Sequence, residues 1–316
     1  MSDGAAEIAA VVPTLGESPH LPRALAALRA QSEAIEIVLV NQGRRPIALD
    51  AGLADRVVPR QRNTGFAAGT NAGIAAVQAP YIATVNDDAI VDPGWAAALR
   101  AALAAAPAAA AAQGVNLLLD SPELTDGWGI GWRESLQAVQ LGHRGPAPAT
   151  GGAAREIFGV SAAAALYRRE ALAAAALAPG VYFDPGLGSY YEDVDLALRL
   201  RARGFSALCV PAARAHHGSS TTGRRRPVRR FAALHGNRYL VLARALRGDL
   251  WRELPGLWAR DLRDLGGALL RADLTQLLGI PVGWARALLR LRRYAARGAP
   301  LLSRADLLRY PAESQR

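Results

Sequence analysis

Three short apolar runs, Ile8 to Val12, Ile35 to Val40 and Tyr81 to Val85, alternate with helix-period stretches at Leu21 to Ala30 and Phe66 to Val77. Apolar runs of strand length predict strands covered on both faces. Their alternation with helices predicts a parallel sheet between two helical layers. Sheets of that kind bind ligands beyond the carboxyl ends of their strands. Three polar groups fall at those ends: Thr14 after Pro13, Asn41 to Gly43, and Asn86 to Asp88. The pattern therefore predicts a nucleotide site along one edge of the sheet.

From Gly114 to Glu156 the periodicity fades into a stretch with Gly, Pro and Trp. It predicts a long loop region with little regular structure, a natural place for a second substrate. Helical periodicity returns at Arg168 to Leu177 and at Asp193 to Arg203; Gly204 stops the helix and a short strand, Ala207 to Val210, follows. After Gly223 the chain reads as almost wholly helical, interrupted near Pro255, Pro281 and Pro300. No internal repeat is found. The expected organisation is an α/β domain over residues 1–223 and a basic helical extension over residues 224–316.

Composition adjusts this picture. Hydrophobic residues make up 51% of the 316, but much of that is alanine and all 37 basic residues are arginine. Runs such as Ala101 to Ala112 are therefore read as coding bias, without functional meaning. The net charge of +10 is unevenly placed: residues 1–223 carry 17 Arg against 20 Asp and Glu, and residues 224–316 carry 20 against 7. The basicity belongs to the tail. There, Phe231 to Leu246 and Trp284 to Leu291 mix apolar residues with arginine, a pattern that suits either an anionic membrane surface or packing against the α/β domain. The single cysteine, Cys209, excludes an intrachain disulfide and reads as a small core residue in a reducing compartment. Met1 to Glu7 is polar and acidic where a secretory signal starts basic and turns apolar, and no apolar run approaches the ~20 residues of a spanning helix. The expected location is cytoplasmic, with any membrane contact peripheral, at the inner face of the cell membrane.

Four clusters carry candidate chemistry. Asn86, Asp87 and Asp88 offer hard oxygen donors at a strand exit, suited to Mg²⁺ or Mn²⁺ together with a diphosphate; the plainer alternative is a capped turn. Arg62 to Asn71 is a glycine-containing helix entry whose amides could face an anion, or an ordinary capped helix. Glu192, Asp193 and Asp195 open a helix, where they favour its dipole and could supply a general base. His216 and His217 follow a strand and could deliver an imidazole to a metal, although histidine pairs are more often surface or hydrogen-bonded residues.

In this order and spacing the elements resemble bacterial glycosyltransferase family 2, especially its rhamnosyltransferase-like members, over about residues 7–240. The resemblance rests on the Asn63 to Asn71 segment, on Asn86-Asp87-Asp88 as a form of the family's Asp-x-Asp motif, and on Gly159 to Leu172. It continues through Tyr191 to Leu196, the segment His216 to Thr221, and Gly236-Asn237-Arg238. It implies the GT-A fold, a Rossmann-like mixed sheet flanked by helices, so that residues 1–223 would be the catalytic domain. It also implies inverting transfer of a sugar from a nucleoside-diphosphate donor, dTDP- or UDP-linked, to a glycan or lipid-linked acceptor with Mg²⁺ or Mn²⁺. Asp88 would lie closest to the metal, with one of His216 and His217 as a further ligand. Asp193 would be the base, with Glu192 as the alternate. Pro13, Thr14, Asn41, Arg62, Asn63, Gly65, Asn71, Asn86 and Asp87 would surround the donor, and Trp128, Trp132, Gly159 and Tyr191 the acceptor. Two positions depart from the family pattern: Asn41 stands where most members place a base-reading Asp, and Asn86 removes one charge from the metal motif.

Three rival functions are weaker. A nicotinamide-dependent reductase would need G-x-G-x-x-G after the first strand, and Pro13 to Ser18 contains only Gly16. A non-catalytic sugar-nucleotide or glycan-binding protein would not need Asp88, Asp193 and the histidines. Nucleic-acid binding by the tail lacks interleaved aromatics and a recognised module.

Overall fold

All seven residues of β1 (Ile8–Thr14) are buried, because both faces of the strand are covered. In the computed structural model, which describes residues 6–218, 227–295 and 300–312, its side chains alternate between two core layers. Ile8, Ala10 and Val12 meet α1 (Leu21–Arg29) and α3 (Trp95–Ala105), while Ala9 and Val11 meet α2 (Phe66–Ala75). β2 (Ile35–Asn41) and β4 (Tyr81–Val85) flank β1 in parallel, and β3 (Arg56–Pro59) continues outward from β2. On the other side β11 (Ala164–Arg168) runs antiparallel between β4 and β6 (Ala109–Leu118). β12 (Ser206–His217) lies parallel to β6, and β10 (Arg155–Ile157) closes that edge. Short strands β5 (Ala89–Val91) and β7 (Ser121–Gly127) pair with β12 and β6. The result is a mixed α/β sheet with helices on both faces, as the family resemblance implies; the parallel sheet predicted by the alternation of strands and helices holds only for β1 to β4, because β11 enters antiparallel beside β4.

Four expectations need correction. Residues 114–156 are not a loop region. They contain the second half of β6, then β7, a separate hairpin of β8 (Ile130–Trp132) and β9 (Ala138–Gln140), and the start of β10. The run Ala101 to Ala112, read from the sequence as carrying no functional signal, has a structural role that composition hid: it ends α3 and begins β6, a strand inside the sheet. The helix expected from Arg168 is α4 (Arg169–Ala174) and is preceded by strand β11, which sequence periodicity missed. The strand expected at Ala207 to Val210 runs on to His217, so the histidines end a strand and do not follow one.

After α5 (Glu192–Arg201), the tail forms α6 (Pro227–Leu246), a 3₁₀ turn (Arg247–Asp249), α7 (Leu250–Leu270), α8 (Leu274–Tyr294) and α9 (Arg304–Leu308). Pro255 and Pro281 do not interrupt it. Each sits inside a helix with its side chain exposed, where water reaches that side of the helix. Phe231 to Leu246 turns inward: Tyr239, Leu240, Leu242 and Leu246 share a core with Ile130, Phe158 and Leu198. Asp261 of α7 is fully buried and gathers Arg238 Nη2 (2.7 Å), Tyr239 OH (2.8 Å), Trp284 Nε1 (2.7 Å) and His235 Nδ1 (3.0 Å), tying α6, α7 and α8 together. Burial pushes its carboxyl up, but these partners prevail and hold it at about 2. The expected boundary at 223/224, Ser219 to Thr221, and Met1 to Ala5 lie outside the described residues.

Candidate active site

The strand exits form the floor of one cleft of about 1000 Å³. β4 ends at Val85, and the amide of Asn86 donates to Ala163 O (2.8 Å), so the chain turns at the sheet edge and delivers Asp87 and Asp88 there. Thr14, last in β1, donates from Oγ1 to Asp87 Oδ2 (2.5 Å), and Ser18 Oγ donates to Asp87 O (3.0 Å). Burial is the main influence on Asp87; with the neighbouring charge of Asp88 it raises the carboxyl to about 6 against the pull of Thr14.

Strand alternation separates the two histidines. His216 faces away from the cleft, with Nε2 3.2 Å from Asp92 Oδ1, while His217 is buried in the cleft wall. The amide of Gly218 donates to Asp88 O (2.9 Å) and fixes the end of β12 beside the acidic turn. His217 Nε2 lies 3.0 Å from Asn86 Nδ2 and 3.3 Å from Asp88 Oδ1, and Nδ1 lies 2.8 Å from Asp126 Oδ2. Burial opposes a charged imidazole, but Asp126 and Asp88 outweigh it and push the ring up to about 10. A position that favours a proton so strongly is electrostatically suited to a cation.

The acidic helix start is sorted by its surroundings. Asp195 is fully buried and accepts from Arg199 Nε (2.9 Å) and from Arg244, whose other arm holds Asp184 (2.7 Å); it is a structural ion pair. Asp193 and Glu192 line the cleft. Burial raises both. Asp193 stays near about 6 because the amides of Val194 (2.8 Å) and Ala162 stabilise its charge. Glu192 is raised well above the usual range by burial and by the charge of Asp193, and its Oε2 has no hydrogen-bond partner among the described residues.

A family model described as glycosyl transferase family 2 matches residues 9–174, more than half of the chain. The chain belongs to glycosyl transferase family 2. The structure of residues 1–349 of TarS from S. aureus is similar at a TM-score of 0.55 with 14% identity, covering 91% of this chain and 80% of that one. The structure of GalNAc-T7 with UDP, GalNAc and Mn²⁺ is similar at a TM-score of 0.54 with 15% identity, covering 68% of this chain; this family member spans 44% of the GalNAc-T7 chain. Comparison of the sequence with curated proteins finds no match. The mixed sheet with its helical C-terminal region is the GT-A arrangement expected of the family.

In this family 2 member, the cleft unites Pro13, Thr14, Asn63, Asn86, Asp87, Asp88, Trp128, Tyr191, Glu192, Asp193 and His217. It does not include the other predicted residues. Trp132 is buried against Phe158 (ring centroids 5.3 Å), and Gly159 packs so closely that a Cβ would lie 2.2 Å from that of Ala197. Asn71 is a brace, with Nδ2 donating to Phe183 O (2.7 Å) and Oδ1 accepting from the Phe183 amide (2.9 Å). Asn41 is buried and closes its own turn through Arg45 O and the Gly43 amide, and Arg62 is exposed.

The glycine-containing helix entry is not an anion nest. The amides of Thr64, Gly65, Phe66 and Ala67 donate to Gln42 Oε1, Asn63 Oδ1, Ser189 Oγ and Gly188 O. Gly65 is required for a different reason: at φ +87°, a Cβ would sit 2.8 Å from Gly188 O. This docking carries the turn before Asp193, where Tyr190 and Tyr191 both adopt φ +71°, a strained conformation for aromatic residues. Asn237 of α6 holds that turn, its Nδ2 lying 2.9, 3.3 and 2.8 Å from the carbonyl oxygens of Leu187, Ser189 and Tyr190. Asn237→Ala is expected to cost about 1–3 kcal/mol of stability by leaving these buried carbonyls unsatisfied. Because the turn positions Asp193, the base that the family resemblance implies, turnover should also fall while donor affinity changes little. Denaturant unfolding and steady-state kinetics check both effects.

Sequence reasoning missed Asp126, Ser189, Arg230 and Leu234, all of which line the cleft. Gln42, within the strand exit Asn41 to Gly43 singled out from the sequence, lines it as well.

Proposed function

We propose that this protein is an inverting, divalent-metal-dependent glycosyltransferase that moves a sugar from a nucleoside-diphosphate donor to an acceptor hydroxyl. One observation carries the reading: Asp88 with His217 at the exit of β4, and Asp193 above the strained turn, open into the same cleft. The solved GalNAc-T7 structure, which contains UDP and Mn²⁺, supports a nucleotide-sugar donor and a divalent cation. Rhamnose is the sugar proposed from the sequence resemblance, with dTDP or UDP as the carrier and a glycan or lipid-linked acceptor. Residues 1–223 act as the catalytic unit and 224–316 as an extension that contributes Arg230 and Leu234 to the cleft and brings the enzyme to the inner face of the cell membrane.

Among the described residues, no group of three or more His, Cys, Asp or Glu is arranged to hold a metal. The donor set nonetheless fits a substrate-borne cation: Asp88 and His217 Nε2 would hold it, and Mg²⁺-like ions commonly take one or two protein ligands and complete their shell with phosphate oxygens and water. Asp126 orients the imidazole from behind, as such partners do at metal-binding histidines. When bound, the cation supplies neutralisation of charge on the departing diphosphate.

The chain's own work is positional and acid–base. Asp193 accepts the proton of the acceptor hydroxyl as that oxygen attacks the anomeric carbon opposite the diphosphate. Glu192, held neutral by burial and by the charge beside it, leaves the basic role to its neighbour. Trp128 and Tyr191 supply aromatic wall for the acceptor.

Asp193 must be ionised to act, and its carboxyl is raised to about 6. Turnover is therefore expected to be level above that pH and to fall ~tenfold per pH unit below it. Asp87 titrates in the same range but acts on donor binding, so kcat at saturating donor isolates Asp193. A kcat that stays level well below pH ~6 would remove Asp193 from the basic role. The function itself is tested by a screen of nucleotide sugars with Mg²⁺ and Mn²⁺, scoring transfer or donor hydrolysis.

A further inference from the structure

We infer that the hairpin of α7 and α8 is an interfacial membrane anchor that lays a leucine and tryptophan face into an anionic lipid surface. The inference rests on the membrane-face part of the reading above and names the element responsible. No helix among the described residues is long and apolar enough to cross a membrane, and the contact inferred is lateral.

The two 21-residue helices are joined by Arg271 to Asp273 and are two-faced in an unusual sense. Their inner faces are accounted for: Leu250, Leu257 and Ala268 of α7 and Ile280, Gly283 and Ala287 of α8 are buried. Their outer faces are apolar as well. On α7, Trp251, Trp258, Leu262 and Leu269 are 65, 58, 60 and 69% exposed and recur at spacings of seven, four and seven residues, which is one stripe of a helix. On α8, Leu274, Leu278, Val282 and Leu289 are 69, 58, 45 and 85% exposed at spacings of four, four and seven. At the hairpin tip Leu270 is 90% exposed. Isolated exposed leucines need no explanation, but an exposed apolar stripe on each of two consecutive helices, with tryptophan on the first, is more apolar surface than scattered side chains account for and is of the kind that marks an interaction site. Tryptophan also favours the level of lipid headgroups.

Charge selects the occupant. The four acids of the hairpin are engaged within the protein. Asp261 is buried in its network, Glu253 pairs with Arg304, Asp264 pairs with Arg260, and Asp273 caps α8 through the Gln276 amide. The exposed arginines Arg263, Arg271, Arg292 and Arg293 have no ion pair among the described residues. The surface therefore presents apolar side chains rimmed by uncompensated positive charge. That combination complements an anionic bilayer, where basic residues gain from headgroup charge while apolar ones enter the acyl boundary. A second copy of the chain would bring the same arginines against themselves.

Co-sedimentation of the full chain with vesicles decides the matter. Binding is expected to phosphatidylcholine vesicles that contain phosphatidylglycerol, to be weak to phosphatidylcholine alone, and to decline with added salt. Leu269→Ser, Leu270→Ser and Leu274→Ser combined should lower the partition coefficient at least ~tenfold. Arg292→Gln with Arg293→Gln should lower it ~fivefold for each charge, on anionic vesicles only. All five side chains are exposed, so unchanged thermal unfolding and donor hydrolysis are expected, and both are measured alongside. Equal partitioning to both vesicle types, or to neither, overturns the inference. So does a concentration-dependent dimer that the leucine variant dissolves in the absence of lipid, which would assign the face to a second copy. Asp193→Asn should still bind vesicles, which keeps failure of the anchor distinct from failure of the transferase reading.

Discussion

Asp193→Asn is expected to lower kcat by about 10²–10⁴-fold while leaving donor affinity within a few-fold of the parent. A positioned general base contributes on that scale, equivalent to about 3–5.5 kcal/mol of barrier. The substitution is nearly isosteric, and its side-chain carbonyl still accepts from the amides of Val194 and Ala162, so the turn before the helix should keep its shape. The donor contacts proposed for Thr14, Asp87 and Asp88 are untouched. The matched control is Glu192→Gln. Glu192 is already held neutral, so its replacement should cost at most about tenfold. Single-turnover kinetics with isothermal titration of the donor separates the outcomes. A larger loss from Glu192→Gln than from Asp193→Asn would exchange the two roles, and a collapse of donor affinity would make Asp193 a folding or binding residue.

The parallel half of the sheet was legible because β1, β2 and β4 are rich in Val and Ile and lie buried on both faces, which leaves continuous apolar runs in the sequence. β6 and β11 were not. Their alanine-rich segments have low strand propensity and were masked by the alanine bias of the whole chain; what makes them strands is pairing with each other and with β4 and β12. The acidic turn could be placed from its strand exit, but no sequence rule tied Asp126, on a strand that was not foreseen, to His217. Register on β12 decides between the histidines, and it depends on where the strand ends. The segment Gly236-Asn237-Arg238 acquires a separate reason at each position. Gly236 lets α8 approach so that a Cβ would lie 2.6 Å from Gly283 O, Asn237 holds the turn before Glu192, and Arg238 pairs with Asp261. A motif of three residues thus joins the tail to the turn before Asp193, a contact that only the tertiary structure reveals. The anion-nest expectation failed for a related reason: the helix-entry amides find partners far along the chain, at Gly188 and Ser189.

Asp88→Ala is expected to abolish cation-dependent donor binding and to lower kcat/KM by about 10³-fold or more, the scale on which a Lewis acid stabilises a departing diphosphate. The effect should exceed that of any other single change at the donor end, because Asp88 is the carboxylate nearest His217 Nε2, whereas Asp87 is engaged with Thr14. Removing Asp126 tests the same assembly from behind. Asp126 reaches the imidazole at Nδ1, on the side away from Asp88, so Asp126→Asn should weaken the cation by about 10–100-fold and be largely rescued by raising its concentration. Rescue by excess Mn²⁺ should fail for Asp88→Ala, since among the described residues no other carboxylate is recorded in contact with that ring nitrogen. Titration of Mn²⁺ followed by electron paramagnetic resonance, with and without nucleoside diphosphate, reads this directly: tight binding is expected only with the diphosphate present, because two protein donors alone make a weak site. Full turnover in excess chelator would refute the cation, and unchanged Mn²⁺ affinity in Asp88→Ala would move its site elsewhere in the cleft.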